Sequence, residues 1–210
     1  MPARAREALE RLITGNRNFV ADRHSPGSRN HVRRGEVSES QEPFAIILGC
    51  SDSRVPAEIV FDQGLGDLFV IRVAGNIVAP SLVGSVEFAA ARFGTRLVVV
   101  LGHSSCGAVQ ATLEELGRPS EGQSPNLRAI VERIRPSVEK LLVENPGLNE
   151  EELMRLAVRD NISASANQLR HGSDILEQLI VTEGLLIVGA EYSLESGVVD
   201  FFDGLPEQET

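Results

Sequence analysis

Two apolar stretches of the sequence each end in side chains that can bind a metal ion. Residues 44–48 run into Cys50, and residues 97–101 run into His103 and then Cys106. Both stretches have the composition of buried strands, and ligands bind at the carboxyl ends of the strands in a parallel sheet. If the two stretches are neighbouring strands, two thiolates and one imidazole therefore converge. This set is one ligand short of a closed structural zinc site, which favours a catalytic metal with a position open to water.

The spacing of these three residues supports the metal hypothesis but leaves simpler ones open. His103 and Cys106 are three positions apart, which places two ligands on the same side of a turn. Cys106 is also predicted to open a helix, where the N-terminal dipole favours a thiolate. Taken singly, a cysteine after a buried strand is more often a small core residue. A single histidine there more often packs or forms a hydrogen bond.

A carboxylate and a guanidinium follow the first of these cysteines. Asp52 and Arg54 are two positions apart, so their side chains can point the same way from an extended turn. A carboxylate beside a guanidinium stays ionised, because the opposite charge lowers its pKa. Near an open metal position this pair could accept a hydrogen bond from water. The simpler interpretation is a local ion pair that stiffens the turn.

The apolar pattern predicts strands that alternate with helices. Residues 3–21 form a predicted amphipathic helix, and residues 22–42 a surface loop or arm. Further helices are predicted at 81–93, at 105–116 and over 127–180, and residues 118–126 form a loop. Pro136 and Pro146-Gly147 are expected to divide the segment 127–180. Strands are predicted at 44–48, 67–73, 96–101, 185–188 and 197–202, the last two antiparallel through a turn at 195–197.

This alternation predicts an α/β fold. We expect a central, mostly parallel sheet, with about four parallel strands and an antiparallel C-terminal strand, flanked by helices. Residues 1–42 supply an N-terminal helical arm and residues 43–210 the α/β core, so that residues 1–210 form a single domain.

Composition excludes several classes of function. The formal net charge of −10 argues against a nucleic-acid partner, which would require a basic surface. No stretch has the roughly 18 consecutive apolar residues that a membrane span needs, and we see no signal peptide. A cytoplasmic location is therefore expected. With only two cysteines in the chain, a structural disulfide is not expected in such a reducing compartment.

The two motifs together resemble the signature of the β-class carbonic anhydrases. The matching segments are Cys50-Ser51-Asp52-Ser53-Arg54 and Gly102-His103-Ser104-Ser105-Cys106-Gly107. Similar segments at 69–76, 84–88 and 189–197 extend the resemblance from about Gln41 to Phe202, in the same order. The resemblance implies zinc-dependent, reversible hydration of carbon dioxide to bicarbonate and a proton, by attack of zinc-bound hydroxide.

The resemblance also implies a role for each matching residue. Zinc would be held by Cys50, His103 and Cys106. Asp52 would orient the water, and Arg54 would hold Asp52 away from the metal. The substrate-binding residues would be Gln41, Gly107, Phe69, Ala74 and Phe88. Many plant-like members have tyrosine where this chain has Phe88, so a polar contact near the substrate is lost.

The family implies a homo-oligomer, a dimer or a dimer of dimers, with the site near the dimer interface. The N-terminal helix would wrap the partner subunit. One subgroup closes its site by letting the aspartate bind zinc, and has a bicarbonate pocket that includes a tryptophan. This chain has Ile47 at that position, although Arg72 and Tyr192 match the other two positions. We therefore expect a plant-like enzyme without bicarbonate gating, its site open at neutral pH.

Three alternative functions remain at this point. The same scaffold is similar to hydrolases of carbon disulfide or carbonyl sulfide, because fold and ligands do not determine the substrate. The chain could be a binding or sensor protein with a degenerate site. Cys50 could instead be a nucleophile with His103 as its base, in a thiol hydrolase or a redox enzyme.

Overall fold

A five-stranded mixed sheet forms the centre of the protein, as the sequence predicts. The computed structural model describes residues 2–23, 30–117 and 124–205. The strands are β1 (Ala45–Cys50), β2 (Leu68–Val73), β3 (Leu97–His103), β4 (Leu186–Tyr192) and β5 (Val199–Asp203). Their order is β2-β1-β3-β4-β5. The pairings β2-β1, β1-β3 and β3-β4 are parallel, and β4-β5 is antiparallel. The predicted fold class is therefore confirmed.

Burial explains why the central strands are continuously apolar. Every residue of β1 and of β3 is buried, because helices cover both faces of the sheet. The register places Gly49 of β1 opposite Leu101 of β3, and Cys50 opposite Val73 of β2. The carboxyl ends of the first three strands therefore lie side by side. β3 runs through His103, two residues further than the sequence pattern predicts.

Eight helices and one 3-10 turn lie in the described part of the chain. They are α1 (Ala3–Val20), α2 (His31–Glu36), α3 (Ala57–Val60), α4 (Pro80–Arg92), α5 (Gly107–Gly117), α6 (Pro125–Glu144), α7 (Glu150–His171), α8 (Asp174–Glu183) and the turn Ala74–Asn76. Helices α4 to α8 pack on one face of the sheet, and α1 and α3 on the other. None of these helices is long and apolar enough to cross a lipid bilayer.

Helix α1 packs against its own chain. Leu9 and Leu12 lie in the apolar cluster beneath the sheet. The buried Asn16 side chain donates to the carbonyl of Val60 at 3.1 Å and to that of Gly197 at 2.9 Å. The apolar face of α1 is therefore buried in its own chain, and the expectation that this helix wraps a partner subunit stays a prediction.

Two local predictions differ from the structure. The segment 22–42, predicted as a loop, contains the short helix α2, which the Asn30 side chain caps by accepting a hydrogen bond from the backbone N–H of Arg33. Pro136 does not divide the helical segment but lies inside α6. Its ring is on the exposed side, where the carbonyl of Glu132 can tilt towards water. The helical segment is interrupted at 145–149, which confirms the predicted division at Pro146-Gly147, and again at Gly172-Ser173.

Parts of two predicted loops, residues 24–29 and 118–123, lie outside the described residues.

Candidate active site

The three predicted metal ligands meet at the carboxyl edge of the sheet. Cys50 is the last residue of β1, His103 is the last residue of β3, and Cys106 directly precedes α5. Their ligand atoms all lie within 4.8 Å of one another, and all three residues are buried. The parallel register of β1 and β3 produces this convergence, because it brings both strand ends to the same edge.

The hydrogen bond of His103 leaves one ring nitrogen free for a metal. Its Nδ1 lies 2.9 Å from the carbonyl oxygen of Ser104, which can only accept, so Nδ1 carries the proton. In the neutral ring Nε2 is then an unprotonated acceptor. The side chain is 0% exposed, and within the described residues Nε2 has no hydrogen-bond partner. An unpaired buried polar atom costs about 1–3 kcal/mol. A metal ion would satisfy it, and two cysteines with one histidine suit zinc.

Cys50 lies in surroundings that favour its thiolate. The backbone N–H of Gly75 donates to Sγ of Cys50 at 3.4 Å. The pKa of Cys50 is lowered, chiefly because the Cys106 thiol donates a hydrogen bond to it, whereas burial opposes the shift. The pKa of Cys106 is raised by the same hydrogen bond and by burial. One anionic sulfur ligand is therefore already favoured in the protein alone.

Asp52 and Arg54 form a closely fitted ion pair beside this cluster. Nε and Nη2 of Arg54 donate to the two carboxylate oxygens of Asp52 at 2.9 and 2.8 Å, and the Arg54 backbone N–H donates at 3.0 Å. These hydrogen bonds hold the pKa of the Asp52 carboxyl well below its usual range. Its Oδ2 also lies 3.8 Å from the free Nε2 of His103. An ionised carboxylate therefore faces the side on which a metal would bind.

Arg72 fixes the backbone of the same turn, a role that the sequence did not indicate. From β2, its Nε donates to the carbonyl of Cys50 at 3.0 Å and its Nη2 to the carbonyl of Asp52 at 2.6 Å. These bonds connect β2 to the last residue of β1 and to the turn that follows it. They set the direction in which the Asp52 side chain leaves the strand end.

Two of the five predicted substrate-binding residues lie at this edge. Gly107 is the exposed first residue of α5, and Ala74 begins the 3-10 turn that follows β2. The backbone N–H groups at the start of α5 carry the positive end of a helix dipole, which suits an anionic ligand.

Gln41 and Phe69, two of the other three predicted residues, lie well away from Cys50 of their own chain. Gln41 lies three positions before Phe44, and Phe44 lies six positions before Cys50. The backbone of Phe44 pairs with Asp67 near the opposite end of the sheet. The six residue steps from Phe44 to Cys50 span about 20 Å of strand, whereas the three steps from Gln41 to Phe44 can reach back at most about 10 Å. Gln41 therefore stays about 10 Å or more from Cys50. Phe69 pairs with Ile46 and is similarly distant.

Phe69 and Phe88 belong to an aromatic cluster beside the edge strand β2. Their ring centroids are 6.3 Å apart, and both rings contact Phe93, at 6.0 and 5.6 Å respectively. Phe88 is 54% exposed. A large aromatic ring exposed next to an unpaired strand edge can bind another protein chain.

Asn161 is a second residue near the site that the sequence did not indicate. It projects from α7, and its Nδ2 donates to the carbonyl of Gly75 at 2.8 Å. The two residues are 86 positions apart, so no local pattern joins them. The sequence feature that could have indicated Asn161 is its position between Val158 and Ile162, where an amide lies on the apolar side of the helix.

The comparisons with known proteins agree with this geometry. A carbonic anhydrase family model matches residues 45–199. The carbonic anhydrase of Mycolicibacterium smegmatis is 40% identical over 195 residues, which cover 92% of this chain and 91% of the relative.

Solved structures show the same fold. The β-carbonic anhydrase CafA of Aspergillus fumigatus is 25% identical, with a TM-score of 0.73 over 83% of this chain and 82% of that chain. A β-carbonic anhydrase of Sordaria macrospora, described as tetrameric, is 24% identical, with a TM-score of 0.70 over 80% of this chain and 84% of that chain. Since the family model matches most of the chain and the bacterial relative is similar along nearly its whole length, the protein belongs to the β-class carbonic anhydrases, a family of enzymes.

Proposed function

We propose that this protein catalyses the zinc-dependent, reversible hydration of carbon dioxide to bicarbonate and a proton. The observation that carries the proposal is the convergence of Cys50, His103 and Cys106 beside an ionised Asp52. The three ligands would hold one zinc ion. When bound there, zinc supplies the Lewis acidity that makes hydroxide available from water near neutral pH.

In this proposal the chain's own side chains orient the reactants. Asp52 accepts a hydrogen bond from the attacking water and fixes its direction. Arg54 keeps Asp52 ionised and prevents it from binding the metal directly, a role supported by its three hydrogen bonds to the carboxylate. The backbone N–H of Gly107 donates to the oxygen on which negative charge develops. Ala74 lies on the apolar side of the substrate pocket.

We further propose that the active enzyme is a homo-oligomer in which the site is completed by a partner subunit. Gln41 and Phe69 lie about 10 Å or more from Cys50 of their own chain, and Phe88 packs beside Phe69. A two-fold axis at the β2 edge would bring them to the cluster of a second copy, because an isologous interface exchanges the same residues in both directions. The exposed Phe88 supports this arrangement. So does the tetrameric state of the Sordaria macrospora relative.

We also propose that the site is open at neutral pH and is not gated by bicarbonate. The ion pair of Asp52 with Arg54 supports the open arrangement, because it keeps the carboxylate from binding the metal. The position that carries tryptophan in the gated subgroup is occupied here by the buried Ile47.

Stopped-flow measurement of carbon dioxide hydration by the zinc-loaded protein tests the function. At about pH 8.5, where water on zinc is largely ionised, we expect a rate far above that of buffer. Absence of this rate in protein shown to contain zinc would refute the proposal. Release of sulfide from carbon disulfide by the same sample would then assign the alternative hydrolase function.

Mixed dimers test the shared site separately. Cys50→Ala removes a metal ligand and Gln41→Ala a substrate contact, so each variant alone lacks a complete site. If Gln41 acts on the partner's metal, a heterodimer of the two variants contains one complete site. Mixing should then restore activity above that of either variant. No gain in a verified heterodimer would show that Gln41 acts elsewhere.

A further inference from the structure

A buried hydrogen-bonded bridge connects helix α7 to the metal-binding cluster. Nδ2 of Asn161 donates to the carbonyl of Gly75 at 2.8 Å, and the backbone N–H of Gly75 donates to Sγ of Cys50 at 3.4 Å. Asn161 is 2% exposed. Its hydrogen bond to Gly75 therefore places it one residue away from the bond that Cys50 accepts.

The turn at Gly75 has a conformation that needs external support. Gly75 has φ 73° and the next residue, Asn76, has φ 43°. Residues with side chains rarely adopt such positive values, which cost about 1–2 kcal/mol. A Cβ on Gly75 would lie 2.8 Å from Cδ1 of Ile134 and 2.9 Å from Cβ of Ala108. The turn is therefore packed closely on two sides, and only glycine fits there.

These apolar contacts position the turn, but they do not orient its peptide groups. A hydrogen bond is directional, and the Asn161 amide fixes the direction of the Gly75 carbonyl. When this carbonyl is held in place, the backbone of Gly75 is restrained at its carboxyl side. The N–H then remains directed at the sulfur of Cys50.

We propose that Asn161 is a positioning residue for the metal ligand Cys50 and raises the affinity of the site for zinc through Gly75. This inference rests on the proposed zinc site. Groups that orient a metal ligand typically change metal affinity 10- to 100-fold when they are replaced. Since Asn161 acts through one intermediate residue, we expect a loss of about tenfold.

Two replacements of Asn161, each with a matched control on the same helix, test this role. Asn161→Asp keeps the volume but removes the donor, and Asn167→Asp makes the same chemical change at an exposed position. Asn161→Ala removes the side chain, and Val158→Ala removes a comparable part of the core without touching the bridge.

Zinc affinity is measured by titrating each zinc-loaded protein with a competing chelator. Urea unfolding of the same samples gives their stability.

The second measurement is the thiolate-to-metal charge-transfer absorption after replacement of zinc by cobalt(II). This absorption reports the geometry at the cysteine sulfurs, which a loss of stability alone does not change. We expect both Asn161 variants to lose about tenfold in zinc affinity and to show an altered absorption. Both control variants should keep the wild-type affinity and spectrum.

Three results would overturn the inference. Unchanged affinity and spectrum in the Asn161 variants would show that the bridge does not act on the metal. An equal loss in Val158→Ala would show that stability alone explains the effect. If the wild-type protein binds no zinc at all, the proposed site itself is wrong and the inference is overturned with it.

Discussion

Enlarging Gly102 should displace the strand end that carries His103. A Cβ at this position would lie 2.5 Å from both Cγ1 and Cδ1 of Ile162, a residue of α7 that is 0% exposed. Real carbon atoms do not approach so closely, and a buried β-branched side chain has few other rotamers. We therefore expect Gly102→Ala to destabilise the protein by about 2 kcal/mol, the usual cost of overpacking a core. It should also lower the zinc content, because His103 directly follows Gly102.

A double-mutant cycle shows whether this collision is the cause. Ile162→Ala alone should cost about 4 kcal/mol, because it leaves a cavity. In the double variant the new Cβ occupies part of that cavity, so the combined loss should be about 2 kcal/mol smaller than the sum. Urea unfolding of the zinc-loaded proteins measures all three values. Gly84→Ala is the control, since a Cβ there meets nothing within 4 Å and the position is helical.

Additive losses, within about 0.5 kcal/mol, would refute this explanation of Gly102.

Four further predictions concern the site and its surroundings. Cys106→Ala should abolish zinc binding, as measured by metal analysis; a full zinc content would contradict its role as a ligand. Asp52→Ala should keep zinc but lose most of its hydration rate in stopped flow, by about 100-fold or more, and a near wild-type rate would contradict its orienting role. Arg54 lowers the pKa of Asp52 in the folded protein. The stability that the ionised Asp52 contributes is therefore fully present above about pH 4, the pKa of the carboxyl in the unfolded chain, and is lost as the pH falls through the pKa in the folded protein. Arg54→Ala should therefore be less stable than the wild type above about pH 4, with a difference that shrinks in acid, and its activity should fall at a higher pH. An activity limb that is not shifted in acid would contradict this. Phe88→Glu should weaken the oligomer in sedimentation experiments, and an unchanged mass would exclude the β2 edge as its interface.

The sequence predicts well the features that depend on local patterns. Each central strand is buried along its full length, so its apolar run is visible directly. The convergence of Cys50 with His103 and Cys106 follows from one topological assumption, that two runs are adjacent parallel strands. The structure confirms this adjacency. The ion pair of Asp52 and Arg54 could also be predicted, because the residues are two positions apart.

The sequence does not reveal features that depend on distant contacts or on solvent exposure. The contact of Asn161 with Gly75 joins residues 86 positions apart. The sequence predicts a helix break at Pro136, but Pro136 lies inside α6. Its effect depends on which side of α6 faces water, and the local sequence does not show this. Gln41 fits the order of the family's segments along the chain, yet that order does not give the distance between Gln41 and Cys50 in the fold. That information requires the length and direction of β1.

The position of Asn16 has a consequence for how the chain folds as it is synthesised. Its side chain bonds to the carbonyl of Gly197 and accepts from the N–H of Val199, across 181 and 183 positions. At 5–20 residues per second, translation takes roughly 10–40 s to cover that distance. During this time the amide lacks these two partners, so helix α1 cannot reach its final packing. Residues 50–106, which carry the candidate ligands, leave the ribosome well before this last connection forms. The candidate ligands therefore leave the ribosome before helix α1 can complete its packing on the C-terminal part of the chain.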